Sequence, residues 1–258
     1  MTKPLISIII PSFNKVKYIS KTLDSIVNQD YQNYEVVIQD GGSVDGTLKI
    51  IEKYAKKYPG IIRFESKKDK GQWDAINKGM RKAKGKILAY INADDLYKDG
   101  ALSEIERLYR LNIDAYWFVG RGMVVDGKGN RIAIWPNRYK NLLLSLNIYF
   151  LLLTTNYLMQ PSVFITKKAW KRFGPFVGHK HFVMEYDLWL KIAQFKMPVI
   201  TNKYLSDFRI EPGTITKKYS EMLLREDEKI VRRHTDNPVI LFLHGIHNLG
   251  RLAVGKLV

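Results

Sequence analysis

Short apolar runs alternate with amphipathic stretches over the first hundred residues of the chain. Four runs have the composition and length of buried strands: Leu5–Ile10, Tyr34–Gln39, Ile61–Glu65 and Ile87–Ile91. The stretches between them have helical periodicity and predict helices over Val16–Asn28, Val44–Lys57 and Gln72–Lys84. Repeated βα units favour right-handed crossovers, so we expect an α/β fold with a mostly parallel sheet flanked by helices.

The second half of the chain has a less regular pattern. Two apolar segments, Ala115–Val125 and Arg131–Trp135, flank the turn sequence Asp126–Asn130 and predict a β-hairpin. Further on, the pattern predicts short strands around Val163–Ile165 and Pro198–Asn202, and helices over Lys167–Phe173, Glu185–Phe195 and Lys217–His234. We therefore expect an irregular region followed by C-terminal helices.

Composition narrows the class of protein. A chain of 258 residues can form one large α/β domain, or a domain with an appendage. The absence of cysteine excludes disulfides and thiolate metal sites. The net charge of +17 favours polyanionic partners, yet no nucleic-acid-binding module is recognisable, so nucleic acid is not an expected partner. The first apolar run is too short for a signal peptide, which predicts a cytoplasmic protein.

Two later segments are apolar enough to suggest contact with a membrane. Both Leu142–Met159 and Val239–Val258 contain too many polar residues to predict a membrane span. In the second segment Phe242, Ile246 and Leu249 recur at helical spacing beside basic positions, which is typical of an interfacial helix. An ordinary helix packed on the domain would give the same pattern.

Polar loops follow three of the predicted strands. The fourth strand ends in the loop Asn92-Ala93-Asp94-Asp95. The oxygen donors of this loop suit Mg²⁺ or Mn²⁺, which can hold a diphosphate. The alternative is a turn in which an Asp caps the next helix. The first strand runs into Pro11-Ser12-Phe13-Asn14. In the loop after the second strand, Gly41 permits close approach of a flat ligand and Asp40 can accept a hydrogen bond from a base or ribose.

A further segment, Asp69–Gly79, opens the third helix. Asp74 and Asn77 lie on one face of it, so the helix N-terminus and these polar groups could face a sugar diphosphate. All these loops belong to one edge of the sheet, where open α/β sheets bind ligands.

The loops resemble, in their order, the large family of inverting glycosyltransferases with the A-type nucleotide-sugar fold, family two. Other matching segments are Gln160–Phe164, Glu185–Leu190 and Phe208–Gly213, so the resemblance covers about residues 5 to 216. It implies a Rossmann-like catalytic domain over residues 1–216, with a nucleotide-sugar-binding half (1–112) and an acceptor-side half (113–216). Residues 217–258 would be a C-terminal helical extension and a candidate for membrane association.

The resemblance also implies roles for single residues on the donor side. Asp40 matches the carboxylate that reads the base of a donor such as a UDP-sugar, and Asp94 matches the metal-binding last Asp of the DxD motif. Asn92 replaces the first Asp of that motif, which removes a charge. Ile76 stands where many relatives have an Arg, so the diphosphate would depend more on metal, backbone N–H groups or Lys70. The remaining donor-binding candidates are Pro11, Ser12, Phe13, Asn14, Gly41, Asp74, Asn77 and Ala93.

The acceptor side needs a base that removes the proton of the acceptor hydroxyl. By resemblance Glu185 takes this position; Asp187 is the alternative base, or else a cap or ion pair on the same helix. Gln160 and Arg209 match acceptor-side positions.

The expected activity is metal-assisted direct displacement of a sugar from a nucleotide-diphosphate sugar to a hydroxyl of a glycan or lipid-linked glycan. A catalytically inactive glycan- or polyanion-binding protein on the same fold is the alternative. The basic charge and the two apolar segments suggest docking on the anionic inner face of the cytoplasmic membrane.

Overall fold

An eight-stranded mixed sheet forms the centre of the computed structural model, which describes residues 4–177, 183–210 and 220–257. The order of the strands across the sheet is β3-β2-β1-β4-β7-β6-β8-β5. Their bounds are β1 Ile6–Ser12, β2 Tyr34–Asp40, β3 Ile62–Ser66, β4 Ile87–Tyr90, β5 Leu96–Tyr97, β6 Trp117–Val125, β7 Val163–Thr166 and β8 Val199–Arg209.

Helices cover both faces of the sheet. Their bounds are α1 Ile19–Val27, α2 Thr47–Lys57, α3 Gln72–Lys82, α4 Ala101–Leu111, α5 Ile134–Leu146, α6 Tyr149–Thr154, α7 Lys167–Phe173, α8 Met184–Phe195, α9 Ser220–Val231 and α10 Pro238–Leu257. A 3-10 turn at Gln160–Ser162 precedes β7. The alternation of strands and helices confirms the predicted α/β class.

The parallel half of the sheet contains the predicted βα units. Strands β3, β2, β1 and β4 run parallel, and β1, β2 and β4 are buried along their whole length. Ser12 pairs with Asp40, and Ile9 pairs with Tyr90. These registers bring the loops after β1, β2 and β4 to the same edge of the sheet, as expected for a ligand crevice.

The other half of the sheet differs from the prediction. Strand β7 is antiparallel to β4 and β6, and β5 is antiparallel to β8. The predicted hairpin is wrong: Val125 forms a single isolated bridge with Arg131, and α5 begins at Ile134. The segment 131–135 is too short to fix a strand by its pattern, and Pro136 is tolerated in the first turn of a helix. Strand β8 instead runs beside β6, with Arg209 paired to Val125.

The apolar segment 142–159 is divided between the core and the surface. Leu143, Leu144, Leu152 and Leu153 are buried in the cluster that also contains residues of α8, α9 and α10. No helix in the described ranges is long and apolar enough to cross a membrane. The predicted boundary between residues 216 and 217 lies outside the described residues, as do the first three residues of the predicted helix 217–234.

Candidate active site

Asp94 is held by a lysine from the first loop. It follows β4, its residue is 9% exposed, and its Oδ2 accepts a 2.5 Å hydrogen bond from the Nζ atom of Lys15. Lys15 comes two residues after Phe13, and its side chain is 37% exposed. A carboxylate and an ammonium group therefore face each other at the carboxyl edge of the sheet, where β1 and β4 end.

The rest of the Asn92–Asp95 loop is fixed by internal hydrogen bonds. Gln72 donates to the Oδ1 atom of Asn92 (2.6 Å), and the Nδ2 atom of Asn92 donates to Asp95 (3.0 Å). Asp95 is buried, and burial together with the neighbouring charge of Asp94 raises its pKa well above the usual range. Ala93 lies in the apolar core. Asp94 is thus the carboxylate of this loop that remains accessible from the crevice.

Arg209 holds the same loop in place through hydrogen bonds to Asp94 and Asp95. Its backbone N–H donates to Asp95 (2.8 Å), and its Nε atom donates to the carbonyl oxygen of Asp94 (2.8 Å). A third donor, Nη1, contacts the carbonyl oxygen of Gly127 (2.9 Å), and the guanidinium lies over the ring of Tyr18. Since Arg209 is buried, it positions the backbone of Asp94 rather than presenting its charge to an acceptor.

Three loops meet at Gly41. A Cβ atom at this position would lie 2.9 Å from the Oδ2 atom of Asp69 and 3.4 Å from the ring of Phe13, so a larger side chain here would displace the Asp69 carboxylate. Phe13 is 59% exposed and presents an aromatic face beside Gly41. The side chain of Asp40 is buried and accepts hydrogen bonds from Ser66 (2.6 Å) and from Ser43 (2.5 Å). Asp40 thereby orders its own loop next to the exposed ring of Phe13.

Other predicted donor-binding residues hold the crevice together. Asn14 ties two loops, because it accepts from the backbone N–H of Val44 (3.0 Å) and donates its own N–H to Ser43 (2.8 Å). Asn77 is buried, and both ends of its amide bind the backbone of Phe176. It therefore fixes the backbone of Phe176, whose ring packs edge-on against that of Tyr90 at the end of β4.

The loop that opens α3 carries exposed charge. Asp74 accepts from the backbone N–H of Lys70 (3.1 Å) and from the Nζ atom of Lys78 (2.8 Å). Lys70 itself is exposed at the tip of the loop. Ile76, at the position of the missing Arg, is fully buried in the core.

Two buried polar atoms at this edge lack partners within the described part of the chain. They are the hydroxyl of Ser12 and the Oε1 atom of Gln160. The Nε2 atom of Gln160 donates to the carbonyl oxygen of Tyr90 (2.8 Å), so this side chain lies at the end of β4. Pro11 is buried beside Ser12. Buried polar atoms without partners are rare, so these two atoms are candidates for contact with a bound ligand.

Glu185 has the proton affinity of a general base. It is half-buried in the first turn of α8, where burial raises its pKa to about 7. The carboxylate of Asp227 adds to the rise, whereas Lys140 opposes it. Both Glu185 and Asp95 raise the pKa of Tyr90, so these two carboxyl groups lie near the ring that ends β4. A carboxyl titrating near neutrality suits acid–base catalysis.

Asp187 has the opposite character. Its two oxygens bind the Nε2 atom of His234 (2.9 Å) and the Nζ atom of Lys191 (2.6 Å). Although burial raises its pKa, these hydrogen bonds and charges outweigh that effect and lower the pKa to about 2. Asp187 is therefore a weak base that links α8 to the end of α9.

The crevice can hold a divalent cation through one carboxylate together with the phosphates of a bound donor. Within the described ranges no group of three or more His, Cys, Asp or Glu residues is arranged to hold a metal ion. Within the Asn92–Asp95 loop, Asp94 offers a carboxylate to the crevice, because Asn92 and Asp95 are engaged with each other. Mg²⁺ binds through one or two carboxylates plus substrate phosphates, so Asp94 together with a donor diphosphate matches this coordination.

Sequence reasoning missed four residues of this site. Lys15 follows a motif assigned to the crevice, so its place in that loop could have indicated it. Gln72, Lys140 and His234 carry no local signal, because their partners are distant in the sequence. The segment 178–182, which contains His179 and His181, lies outside the described residues.

Known proteins are similar in sequence to this chain. The model of glycosyl transferase family 2 matches residues 7–164, more than half of the chain. A chondroitin synthase from Escherichia coli is 29% identical over 196 residues, which are 74% of this chain and 27% of that protein. An uncharacterized glycosyltransferase from Rickettsia typhi is 27% identical over 219 residues. The alignment covers 83% of this chain and 66% of that relative, so the chain spans less than two thirds of either protein.

Solved structures share the fold. A mannosyltransferase from Pyrobaculum calidifontis, in complex with GDP-Man and Mn²⁺, matches all of this chain and 74% of its own, with a TM-score of 0.74 and 18% identity. The S. aureus TarS fragment 1–349, in complex with UDP-GlcNAc, matches 96% of this chain and 72% of its own, with a TM-score of 0.67 and 17% identity. These matches confirm the predicted A-type glycosyltransferase fold. Together with the family match, they show that the chain belongs to glycosyl transferase family 2.

Proposed function

We propose that the protein is an inverting, metal-assisted glycosyltransferase that uses a nucleotide-diphosphate sugar, with Glu185 as the base and Asp94 as the metal ligand. The observation that carries the proposal is the contrast on α8: Glu185 titrates near pH 7, whereas the pKa of Asp187 is about 2. Besides burial, the charges of Glu185 on α8 and of Asp95 in the loop after β4 both raise the pKa of Tyr90, which supports a reaction centre between α8 and the end of β4.

The donor would bind along the carboxyl edge of the parallel strands. The exposed ring of Phe13 beside Gly41 offers a flat surface for a nucleobase, and Asp40 orders the loop that frames it. The unpartnered hydroxyl of Ser12 lies in the same strand end and can bind the donor. A UDP-sugar is the donor expected from the resemblance, and the two solved neighbours hold UDP-GlcNAc and GDP-Man.

Direct displacement then requires one proton transfer. Glu185 takes the proton of the acceptor hydroxyl, the acceptor oxygen bonds to the anomeric carbon, and the bond from that carbon to the diphosphate breaks. Attack from the face opposite the diphosphate inverts the anomeric configuration. A bound Mg²⁺ or Mn²⁺ ion, held by Asp94, would neutralise charge on the departing diphosphate.

Lys15 supplies a second positive charge to the leaving group in this proposal. The ammonium group pairs with Asp94 at 2.5 Å and is more than one third exposed, so it is free to turn towards a diphosphate. This lysine provides the cation that Ile76 cannot, because the isoleucine side chain is buried in the core. The exposed Lys70 remains a further candidate contact.

The acceptor in this proposal is a glycan or a lipid-linked glycan, to which a hexose or N-acetylhexosamine is added. Similarity to a chondroitin synthase supports a role in polysaccharide biosynthesis. Gln160 lies beside Tyr90 with a free amide oxygen and can contact substrate there. The net charge of +17 favours binding of the protein, as a peripheral membrane protein, to the anionic inner face of the cytoplasmic membrane.

Thermal unfolding with a panel of donors tests the proposal. The wild type would be scanned with UDP-GlcNAc, UDP-glucose, UDP-galactose and GDP-mannose, each with and without Mn²⁺. A donor at about 100 times its Kd stabilises the fold by about 2.7 kcal/mol, which raises Tm by roughly 5–10 °C for a chain of this size.

Release of nucleoside diphosphate, measured in the same samples, separates the two candidate functions. Stabilisation by one donor with Mn²⁺, accompanied by slow turnover with water as acceptor, is the expected result. Stabilisation without turnover by any donor or added glycan would favour the inactive binding protein. No stabilisation by any nucleotide sugar would contradict the proposal.

A further inference from the structure

Helix α5 exposes an apolar stripe to solvent. Trp135, Tyr139, Leu142 and Leu146 are separated by four, three and four residues, so they lie on one side of the helix. Their exposed fractions are 75, 45, 59 and 52%. The opposite side of the helix, with Leu143, packs into the core. Large apolar side chains exposed in a continuous row are characteristic of an interaction surface.

Helix α10 exposes a second stripe of the same kind. Val239, Phe242, Ile246 and Leu249 are separated by three, four and three residues and have exposed fractions between 49 and 69%. The other side of this helix is anchored, because His244 is buried and binds the carbonyl oxygen of Thr154. The stripe therefore faces away from the domain.

One contact joins the two stripes. The ring of Tyr139 stacks on that of His247 with centroids 6.0 Å apart, and the Oη atom of Tyr139 lies 2.7 Å from the Nε2 atom of His247. Since Tyr139 belongs to the α5 stripe and His247 follows Ile246 of the α10 stripe, the two rows form one surface. We call it the α5/α10 face.

The charge around this face is positive. The sequence contains no Asp or Glu in Ile134–Thr154 or in Pro238–Leu257, and the acid that precedes α10 is Asp236. Arg138 is exposed on α5, and its guanidinium lies 5.0 Å from the centre of the Trp135 ring. Tryptophan and arginine together are typical of the boundary between lipid headgroups and acyl chains.

We propose that the α5/α10 face docks on an anionic lipid bilayer. The apolar stripes would enter the boundary between headgroups and acyl chains, while the basic side chains bind lipid phosphates. A second copy of the chain fits less well, because a symmetric contact would place the same basic face of two strongly basic proteins against itself. An anionic bilayer complements the apolar surface and the charge at once.

The face also adjoins the proposed base. Lys140 follows Tyr139 in α5, and its ammonium group interacts electrostatically with Glu185. Tyr186, next to the base, donates a hydrogen bond to the carbonyl oxygen of Leu152 in α6. Docking would therefore bring the acceptor side close to the bilayer and favour a lipid-linked acceptor. This last step rests on the proposed function, whereas the docking itself does not.

Vesicle flotation tests the docking. The full chain would be mixed with phosphatidylcholine vesicles, with or without phosphatidylglycerol, and the floated fraction measured at low and high salt. We expect flotation with the anionic vesicles and its loss at high salt. The variant W135S/F242S removes one anchor from each stripe, and each removal should weaken partitioning roughly tenfold.

A matched control separates the face from general surface hydrophobicity. Leu111 and Ile113, near the end of α4, are 68 and 62% exposed and lie outside the face, so L111S/I113S should float like the wild type. Equal flotation with neutral vesicles, or equal loss in both double variants, would overturn the proposal. So would a wild-type dimer that becomes monomeric in W135S/F242S without any flotation, since the face would then bind a second copy.

The donor panel distinguishes this proposal from the proposed function. We expect W135S/F242S to keep the donor-induced rise in Tm while losing flotation, because neither residue lies in the site. If the wild type floats with anionic vesicles but binds no donor, only the proposed enzymatic function is contradicted.

Discussion

Replacing Glu185 by Gln tests the chemistry most directly. Glutamine keeps the size and hydrogen-bonding capacity of the protonated acid but cannot accept a proton from the acceptor. A positioned general base contributes about 10²–10⁴ to the rate, so turnover should fall by that factor while donor binding is retained. The same variant tests the cause of the raised pKa, because burial disfavours the charged carboxylate.

The raised pKa fixes both the pH dependence of activity and that of stability. With a pKa of about 7, roughly one tenth of Glu185 is ionised at pH 6, whereas an ordinary Glu with a pKa of 4.5 would be almost fully ionised. The free energy of unfolding changes in the opposite sense. The stabilising contribution of protonated Glu185 is fully present below pH 4.5 and is lost as the pH rises through 7. At pH 8 the E185Q variant should therefore be more stable than the wild type, by at most about 3 kcal/mol.

The assay combines three measurements. Release of nucleoside diphosphate from the stabilising donor gives the rate between pH 5 and 9, thermal shift gives donor binding, and urea unfolding gives the stability at pH 5 and pH 8. D187N serves as the matched control, because it changes the other carboxylate of the same helix turn. We expect the wild-type rate to rise about tenfold per pH unit up to a midpoint near pH 7, and E185Q to lose this pH dependence.

Three outcomes would refute the reasoning. Wild-type turnover in E185Q would exclude Glu185 as the base. A rate that is already at its plateau at pH 5 would show that the base has an ordinary or lowered pKa. Loss of turnover only in D187N, with unchanged stability, would transfer the role of base to Asp187.

Further predictions concern the groups around the reaction centre. Asp187→Asn should lower the free energy of unfolding at pH 7 by about 2 kcal/mol in urea titrations. The lowered pKa of about 2 means that the ionised Asp187 stabilises the fold above pH 4, and this contribution is lost as the pH falls towards 2. An unchanged stability would contradict the ion pairs. Asp94→Ala should abolish the Mn²⁺-dependent part of the donor-induced rise in Tm and leave the Tm of the free protein within a few degrees; a retained Mn²⁺ effect would place the metal elsewhere. Lys15→Gln should weaken donor binding about tenfold in isothermal titration, because a charge-assisted contact to the diphosphate is lost. Without donor the same variant should bind Mn²⁺ more tightly, because Asp94 is released; unchanged affinities in both titrations would exclude a role for Lys15.

Part of the fold could be predicted because its signals are local. A buried parallel strand is a short, largely apolar segment, as in Ile6–Ser12 and Ile87–Tyr90, and a helix needs one apolar stripe. The crevice follows from topology, since parallel strands end at one edge. The prediction of the hairpin was wrong because its local signal is too short. The five residues after the turn, Arg131–Trp135, do not distinguish a strand from the start of a helix.

The sequence by itself determined the α/β class, the family and the loops at the carboxyl ends of the parallel strands, because helix and strand patterns are set by residues close in the chain. The tertiary structure decided which charges meet. Lys15 reaches Asp94 across 79 positions, and His234 binds Asp187 across 47. Contact with His234 and Lys191 outweighs burial and lowers the pKa of Asp187, whereas burial raises the pKa of Glu185 to near neutrality. Electrostatic energies depend on distance in space and on burial, which no local pattern encodes.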